Sequence, residues 1–460
     1  MNAVLAKSIE GMQKSLTPTT GAALIDQVMS RILTETAFQS MIPLAMMPVV
    51  PAAGSPYEYD KRTAMASAYP EGSSATAQTT GNNSTYTETS VALKIIRAWG
   101  EFDYFVESLS KYRTGRNEVF GAAVSVAEQL VGQCFWGDAT ASAYMFDGWD
   151  AEEDIVTIDH GHAAATADLM DRMLDDTMLE GSRGYDRMFF MSRSMLSKMS
   201  QYYARTYSAD LPISEVNLPH APGGIKLSTW QDVPILSVDF CRPRAQATTL
   251  TLATTSGYGT LATDTYYVQV APVTRYGEQL ASAEAPVNVV GPTGSIVITL
   301  PAPFSHSNIN SAYGEALYWK IYVGTTSGSL TLRVVTAALL YDANGSPNNY
   351  ATTYTYTGTN SARRGCVGTA TAGQEDAPLA GTVGGSLDEV IFLGPMNPEE
   401  AWDLAAAPYK DADELDARRL IAYKRLAETK DAANFLVKCY AAAAMRWPQL
   451  FCEARRVLSR

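Results

Sequence analysis

The spacing of apolar residues changes character several times along the chain. In GAALIDQVMSRILTETAF (21–38), Leu24, Val28 and Ile32 recur every fourth position with Ile25 and Met29 beside them, which predicts a short amphipathic helix. Prolines 43, 48 and 51 then force extended chain, so that 1–50 reads as an N-terminal arm. Residues 51–98 are polar and poor in helix formers. Two extended pieces flank a tip of Gly, Ser, Thr and Asn near 70–84, which predicts a long hairpin. Such an arm has almost no core of its own and is marginal alone in water, so it is expected to lie on a partner.

The run SVALKIIRAWGEFDYFVESL (90–109) gives way to a clear helical pattern in NEVFGAAVSVAEQLVGQCFW (117–136). There Ala123, Ala127, Leu130 and Cys134 share a face, Asn117 can cap, and Gly137 is a suitable stop. A second helix is expected at 166–180, capped by Thr166, with Leu169, Met170, Met173, Leu174 and Met178 buried. YDRMFFMSRSMLSKMSQYYA predicts a strand at 188–191 running into a third helix, and GGIKLSTWQDVPILSVDF (223–240) two short strands. Helices alternating with strands suggest an α+β or small α/β unit.

From 245 to 362 the texture is Thr-, Val- and Tyr-rich, with turn clusters about every ten residues, as in a β-sandwich. In ALYWKIYVG, Trp319, Ile321 and Val323 fall on one face and Tyr318, Lys320 and Tyr322 on the other. The second face is expected to point outward, making Tyr318, Tyr322 and Tyr276 surface aromatics. The stretch is the size of one immunoglobulin-like domain. It reads as an insertion into a loop, separable and external, with its ends close together. Beyond it, SLDEVIFLGPMNPEEAWDLAAAPY predicts a strand and a short helix. In the last fifty residues the alanines favour helix, while Pro448 and FLVKCY favour strands, so periodicity leaves that segment open.

Composition narrows the function. The chain has 460 residues, 46% hydrophobic and 18% charged, enough for more than one core. A net charge of −13 argues against tight wrapping of nucleic acid, but not against its enclosure. The cysteines (134, 241, 366, 439 and 452) contain no C-x-x-C and read as free thiols. The most apolar run, MIPLAMMPVVPAAG (41–54), is too short for a membrane span, and no secretion signal is expected. His160–Gly161–His162 is the one metal-like cluster, and it reads as a solvated loop. Asp147, Asp150, Glu152, Glu153 and Asp154 read as a hydrated acidic turn. There is no G-x-S-x-G, H-E-x-x-H or P-loop, so no enzyme, cofactor or metal is expected.

Taken in order, the pieces resemble the major capsid protein of tailed bacteriophages, the Hong Kong 97-type fold. The hairpin at 51–98 is similar to that family's extended loop and EFDYFVESL to the strand after it. NEVFGAAVSVAEQLVGQCFWGD resembles its spine helix, DRMFFMSRSMLSKM and GGIKLSTWQDVPILSVD its axial domain, and NFLVKCYAAAAMRWPQLFCEARRV the closing strands of its peripheral domain. The resemblance implies an α+β fold divided into a peripheral domain with spine helix at 99–150, an axial domain at 151–244 and 363–407, and a peripheral segment at 408–460. It implies a virion shell built of hexamers and pentamers and assembled in the host cytoplasm. Such a shell encloses double-stranded DNA without sequence-specific binding and works with a portal, a separate scaffolding protein and in some cases a cement protein, with no membrane. Lys61, Arg62, Tyr69, Trp99, Tyr276, Tyr318 and Tyr322 are the expected subunit or surface contacts. Lys61 is the only lysine in 51–93, and no Asn or Glu partners for a cross-link can be placed. An encapsulin-like cargo shell shares the fold but usually lacks such an insertion. A secreted carbohydrate-binding or glycosidase protein would need a signal peptide, and a glycosidase also a catalytic carboxylate pair.

Overall fold

The structure, a computed structural model, describes residues 43–44, 47–64, 84–103, 114–177, 187–217, 224–301, 316–341, 347–367, 376–383, 385–395, 401–410, 412–415, 420–426 and 432–459. The helix expected at 21–38, the hairpin tip with Tyr69, and residues 104–113 lie outside them.

Among the described residues the chain is mostly sheet, with three helices of ten residues or more: α1 (Thr114–Trp136), α2 (Ala167–Asp176) and α3 (Arg193–Tyr207). A seven-stranded sheet runs, in spatial order, Val156–Asp159, Cys452–Leu458, Asp388–Pro395, Arg187–Met191, Val233–Ser237, Gly224–Trp230 and Ile213–Asn217. Its central strands are buried on both faces, which explains their unbroken apolar runs. In Arg187–Met191, Phe189 and Met191 pack with Leu169, Met173 and Met195 of α2 and α3, while Met188 and Phe190 face the core beneath α1. Ser192 caps α3 by accepting from the Met195 amide at 3.0 Å, and Thr166 caps α2 from the Leu169 amide at 3.4 Å.

A six-stranded sheet is organised by the long strand Ala432–Met445, which pairs with Lys94–Asp103, Ile421–Arg425 and Trp402–Ala406. The strand Val49–Pro51 runs parallel to Trp402–Ala406. Among the described residues, most of the last fifty therefore form strands despite their alanines. Ala441, Ala442 and Ala444 are fully buried, and their small side chains let α1 lie close against the sheet; tertiary packing overrides helix propensity there. The helix expected after 395 is the strand Trp402–Ala406, and α1 starts at Thr114, three residues ahead of the expected cap. Trp402–Ala406 lies in the six-stranded sheet and Cys452–Leu458 in the seven-stranded one.

Within 245–362 two sheets face each other. One consists of Thr251–Leu261, Gly294–Thr299 and Thr353–Tyr356. The other is five-stranded: Gly277–Glu278, Asp264–Thr274, Ala316–Gly324, Thr331–Ala337 and, beside Asp264–Thr274, Ala285–Val289. Val268, Val270, Ile296, Ile298, Trp319, Ile321 and Val334 form the core between them. The opposite face of the five-stranded sheet is not open to solvent. Ala271, Val273, Tyr318, Tyr322, Leu332 and Val335 belong to the main core with α1. This corrects the expectation of an outward face: Tyr318 and Tyr322 are each 0% exposed. The alternation of side chains along the strand is as expected, but both of its faces are interior. Gly277 shows how close the approach is. Its φ is +91°, and a Cβ there would lie 2.2 Å from the Phe240 carbonyl oxygen.

Candidate functional site

Two assemblies of side chains stand out. The first is the root of the hairpin formed by Tyr57–Ala64 and Thr85–Val91. No described side chain in either strand is buried, and Tyr57, Tyr59 and Lys61, on the side toward the body, are half-covered. Lys61 Nζ lies 2.8 Å from Asp154 Oδ2 and also contacts Glu152. Burial alone would lower the Lys61 pKa, but these two carboxylates raise it, so the ammonium is firmly charged. The Arg62 guanidinium stacks 4.3 Å from the Trp447 ring, and its amide donates to the Arg446 carbonyl at 2.7 Å. Arg446 in turn donates to Tyr57 Oη at 2.9 Å and to Asp403 at 2.8 Å. Cation and carboxylate pairs thus fasten the hairpin base to the body. Beside it, the strand Lys94–Asp103 presents Ile95 and Trp99, 59% and 61% exposed, on its outer face. Among the described residues this strand pairs only with Ala432–Met445, which leaves it at a sheet edge.

The second assembly is a buried charge centre where the sandwich meets the body. Lys320 Nζ, 0% exposed, sits 2.9 Å from Asp150 Oδ2 and 2.7 Å from Glu278 Oε2. Tyr322 Oη donates to Glu278 Oε1 at 2.7 Å. Arg455 bridges Asp150 at 2.7 Å and Glu278 at 2.6 Å. Arg363 contacts Asp150 and Asp138, and Arg364 donates to the Asp150 carbonyl at 2.7 Å while contacting Glu453. Burial by itself would raise the Asp150 pKa, but Lys320, Arg363, Arg455 and Arg364 together hold its carboxyl well below the usual range. Glu278 is lowered likewise: burial opposes ionisation, and Arg455 and Lys320 outweigh it. Asp150 and Glu278 are thus each held by more than one cation.

The expected contact residues therefore divide. Lys61, Arg62 and Trp99 gather at the hairpin root and the adjoining edge strand. Tyr276 is half-buried elsewhere, with its hydroxyl 3.1 Å from Glu128 and Arg275 over its ring. Tyr318 and Tyr322 are interior, with Tyr322 in the charge centre. The expected acidic turn is split: Asp150 is fully buried, while Glu152 and Asp154 hold Lys61. The two histidines take different partners, His160 the Ala164 carbonyl at 3.0 Å and His162 the Asp388 carboxylate at 2.6 Å. The described cysteines are buried. Sequence reasoning missed the charge centre, because its residues are scattered from 138 to 455 with no local spacing to mark them.

No protein-family model and no curated protein matches the chain. Similar solved structures are phage capsids and encapsulins at low sequence identity. An encapsulin complex of Synechococcus elongatus is 8% identical, covering 98% of this chain and 95% of that one, with a TM-score of 0.42. The capsid of an empty GTA particle is 9% identical, covering 98% of both chains, with a TM-score of 0.41. A chain from Gordonia phage Cozz is 9% identical, covering 96% of both, with a TM-score of 0.37.

Proposed function

We propose that the chain is the subunit of a self-assembling shell, of the kind that tailed phages build around double-stranded DNA. One observation carries this reading: an edge strand exposes Ile95 and Trp99 beside a hairpin of 8- and 7-residue strands that rests on the body through polar contacts and buries no described side chain. A two-stranded ribbon is not stable in water unless something packs on it, and a bare edge with apolar side chains invites pairing. Copies of the same chain, supplying both features in symmetric repetition, satisfy both needs. The acidic balance suits a wall that surrounds DNA without holding it tightly. The sandwich at 245–362, read as an immunoglobulin-like insertion, and the portal, scaffolding and cement partners belong to the same proposal.

Electron microscopy of the expressed chain, with light scattering, tests it. Closed shells are the expected outcome, and a monodisperse monomer at high concentration would remove the reading. Extraction after nuclease treatment then separates the contents. Protected DNA in shells recovered from a producing host supports the phage assignment, and protein cargo without DNA would place the chain with encapsulin-type compartments.

A further inference from the structure

Two sheet faces on this chain carry opposite charge. The first is the outer face of the six-stranded sheet. Register places Trp99, Leu436 and Lys424 in one row across three strands, with Arg97 and Lys438 side by side in the next. The alternate residues Ile96 and Val437 are buried in the core with α1, so the two rows project away from it. The ammonium groups of Lys424 and Lys438 lie 5.6 and 3.5 Å from the Tyr409 ring, and neither makes an ion pair among the described residues. Glu101, opposite Asn434, stands one row beyond Trp99. In a chain of net charge −13 this is a basic patch, set around a tryptophan that is 61% exposed. The second face is the outward side of the hairpin. Asp60 pairs directly with Glu88 across the two strands, and Glu58 lies on the same side. All three carboxylates are exposed, with no ion pair among the described residues. Like charges directly opposite each other destabilise a strand pair, so the ribbon alone carries a repulsion that nothing on its own subunit offsets. Lys61, on the alternate side, holds the ribbon's other face to Asp154 and so turns these carboxylates away from their own body.

We propose that the hairpin of one copy lays its outward carboxylates on this sheet face of a second copy. The inference rests on the shell reading and specifies which two surfaces meet. Both are pleated sheet, with side chains about 5 Å apart across strands and about 7 Å apart along them, so the charges of one face are spaced like those of the other. Docking sets Asp60, Glu88 and Glu58 against Lys438, Lys424 and Arg97, relieves the repulsion within the ribbon, and covers Trp99 and Leu436. Opposite charge fixes the register of the contact, and the apolar pair between the cations is the area removed from water.

Charge exchange in the full chain tests it, with shells counted in electron micrographs and folding checked by thermal melts. One variant combines Asp60→Lys with Glu88→Lys, and another Lys424→Glu with Lys438→Glu. Each alone is expected to lower shell yield about tenfold or more, because like charges then face each other across the contact. The quadruple variant, with the signs exchanged on both faces, is expected to recover shells. Parent-like yield from both double variants, or a folded quadruple variant that does not recover, overturns the pairing. Carbodiimide coupling of parent shells reads the same contact without substitution. A peptide joining Lys424 or Lys438 to Asp60, Glu58 or Glu88 is expected, shown to link two copies by mixing isotope-labelled with unlabelled chain. Its absence, or coupling confined to one copy, overturns the proposal. A parent chain that forms no shells removes the shell reading and this contact with it, whereas parent shells indifferent to these charges remove the contact alone.

Discussion

Lys320 concentrates the energetics of the charge centre in one side chain. It is wholly buried and touches two carboxylates, so replacing it strands Asp150 and Glu278 among fewer cations. Removing one partner of a buried ion pair costs about 3–5 kcal/mol, a large part of the roughly 5–15 kcal/mol that holds a domain together. Lys320→Met, which fills similar volume, is expected to lose that amount in urea unfolding of the full chain, and a change under about 1 kcal/mol would contradict it. The same centre sets an acid limit. Asp150 and Glu278 have lowered pKa values in the folded chain, so their stabilisation is complete above the unfolded carboxylate value of about 4 and is lost as pH falls through the folded values. Melting temperature followed from pH 7 downward should show this loss only below about pH 5, with Asp150→Asn blunting it. A loss centred near pH 6 would assign the acid response to other groups.

At the scale of elements, the sandwich is the decisive case. Its strands were legible from Thr-, Val- and Tyr-rich runs between turns, and the two faces of Ala316–Gly324 were legible from alternation. What alternation cannot tell is whether a face made of Tyr318, Lys320 and Tyr322 meets water or another layer. These residues are amphipathic, and a lysine in a strand signals solvent until its partners, at positions 150 and 278, are brought to it by the fold. Helices α1, α2 and α3 were legible because a 3.6-residue period survives burial, whereas the alanines of Ala432–Met445 carried the wrong propensity for their place. The expectation of a separable insertion changes accordingly. Fragment 245–362 on its own exposes Tyr318, Tyr322, Leu332 and Val335 and strands Lys320 with Glu278, so it is expected to bind a hydrophobic dye and to self-associate. A soluble monomer with a sharp melt and no dye binding would restore the independent-domain view. At the hairpin root, Lys61 and Arg62 were legible as candidate contacts, but their anchors at Glu152 and Trp447 were not, being 91 and 385 positions away in sequence.

For the whole molecule, the exposed edge strand and the hairpin are the surfaces that the proposed assembly would cover. Trp99→Glu places charge on that edge without touching a core, so the subunit should fold normally while shell yield in electron micrographs falls sharply; unchanged shells would exclude the edge as a subunit contact. The charge centre has a further consequence, one of timing. Asp150 binds Arg455, 305 positions later in the chain. At roughly 5–20 residues per second, a ribosome delivers that arginine about 15–60 s after the aspartate. Until then Asp150 lacks Arg455, and Arg363 and Arg364, 213 and 214 positions after Asp150, arrive roughly two-thirds of the way through that interval. The joint between body and sandwich therefore closes late, after both have been synthesised. On the proposed shell reading, a polypeptide still attached to its ribosome is an unfinished wall, and copies translated side by side on one message gain time to separate before any of them is ready to join a neighbour.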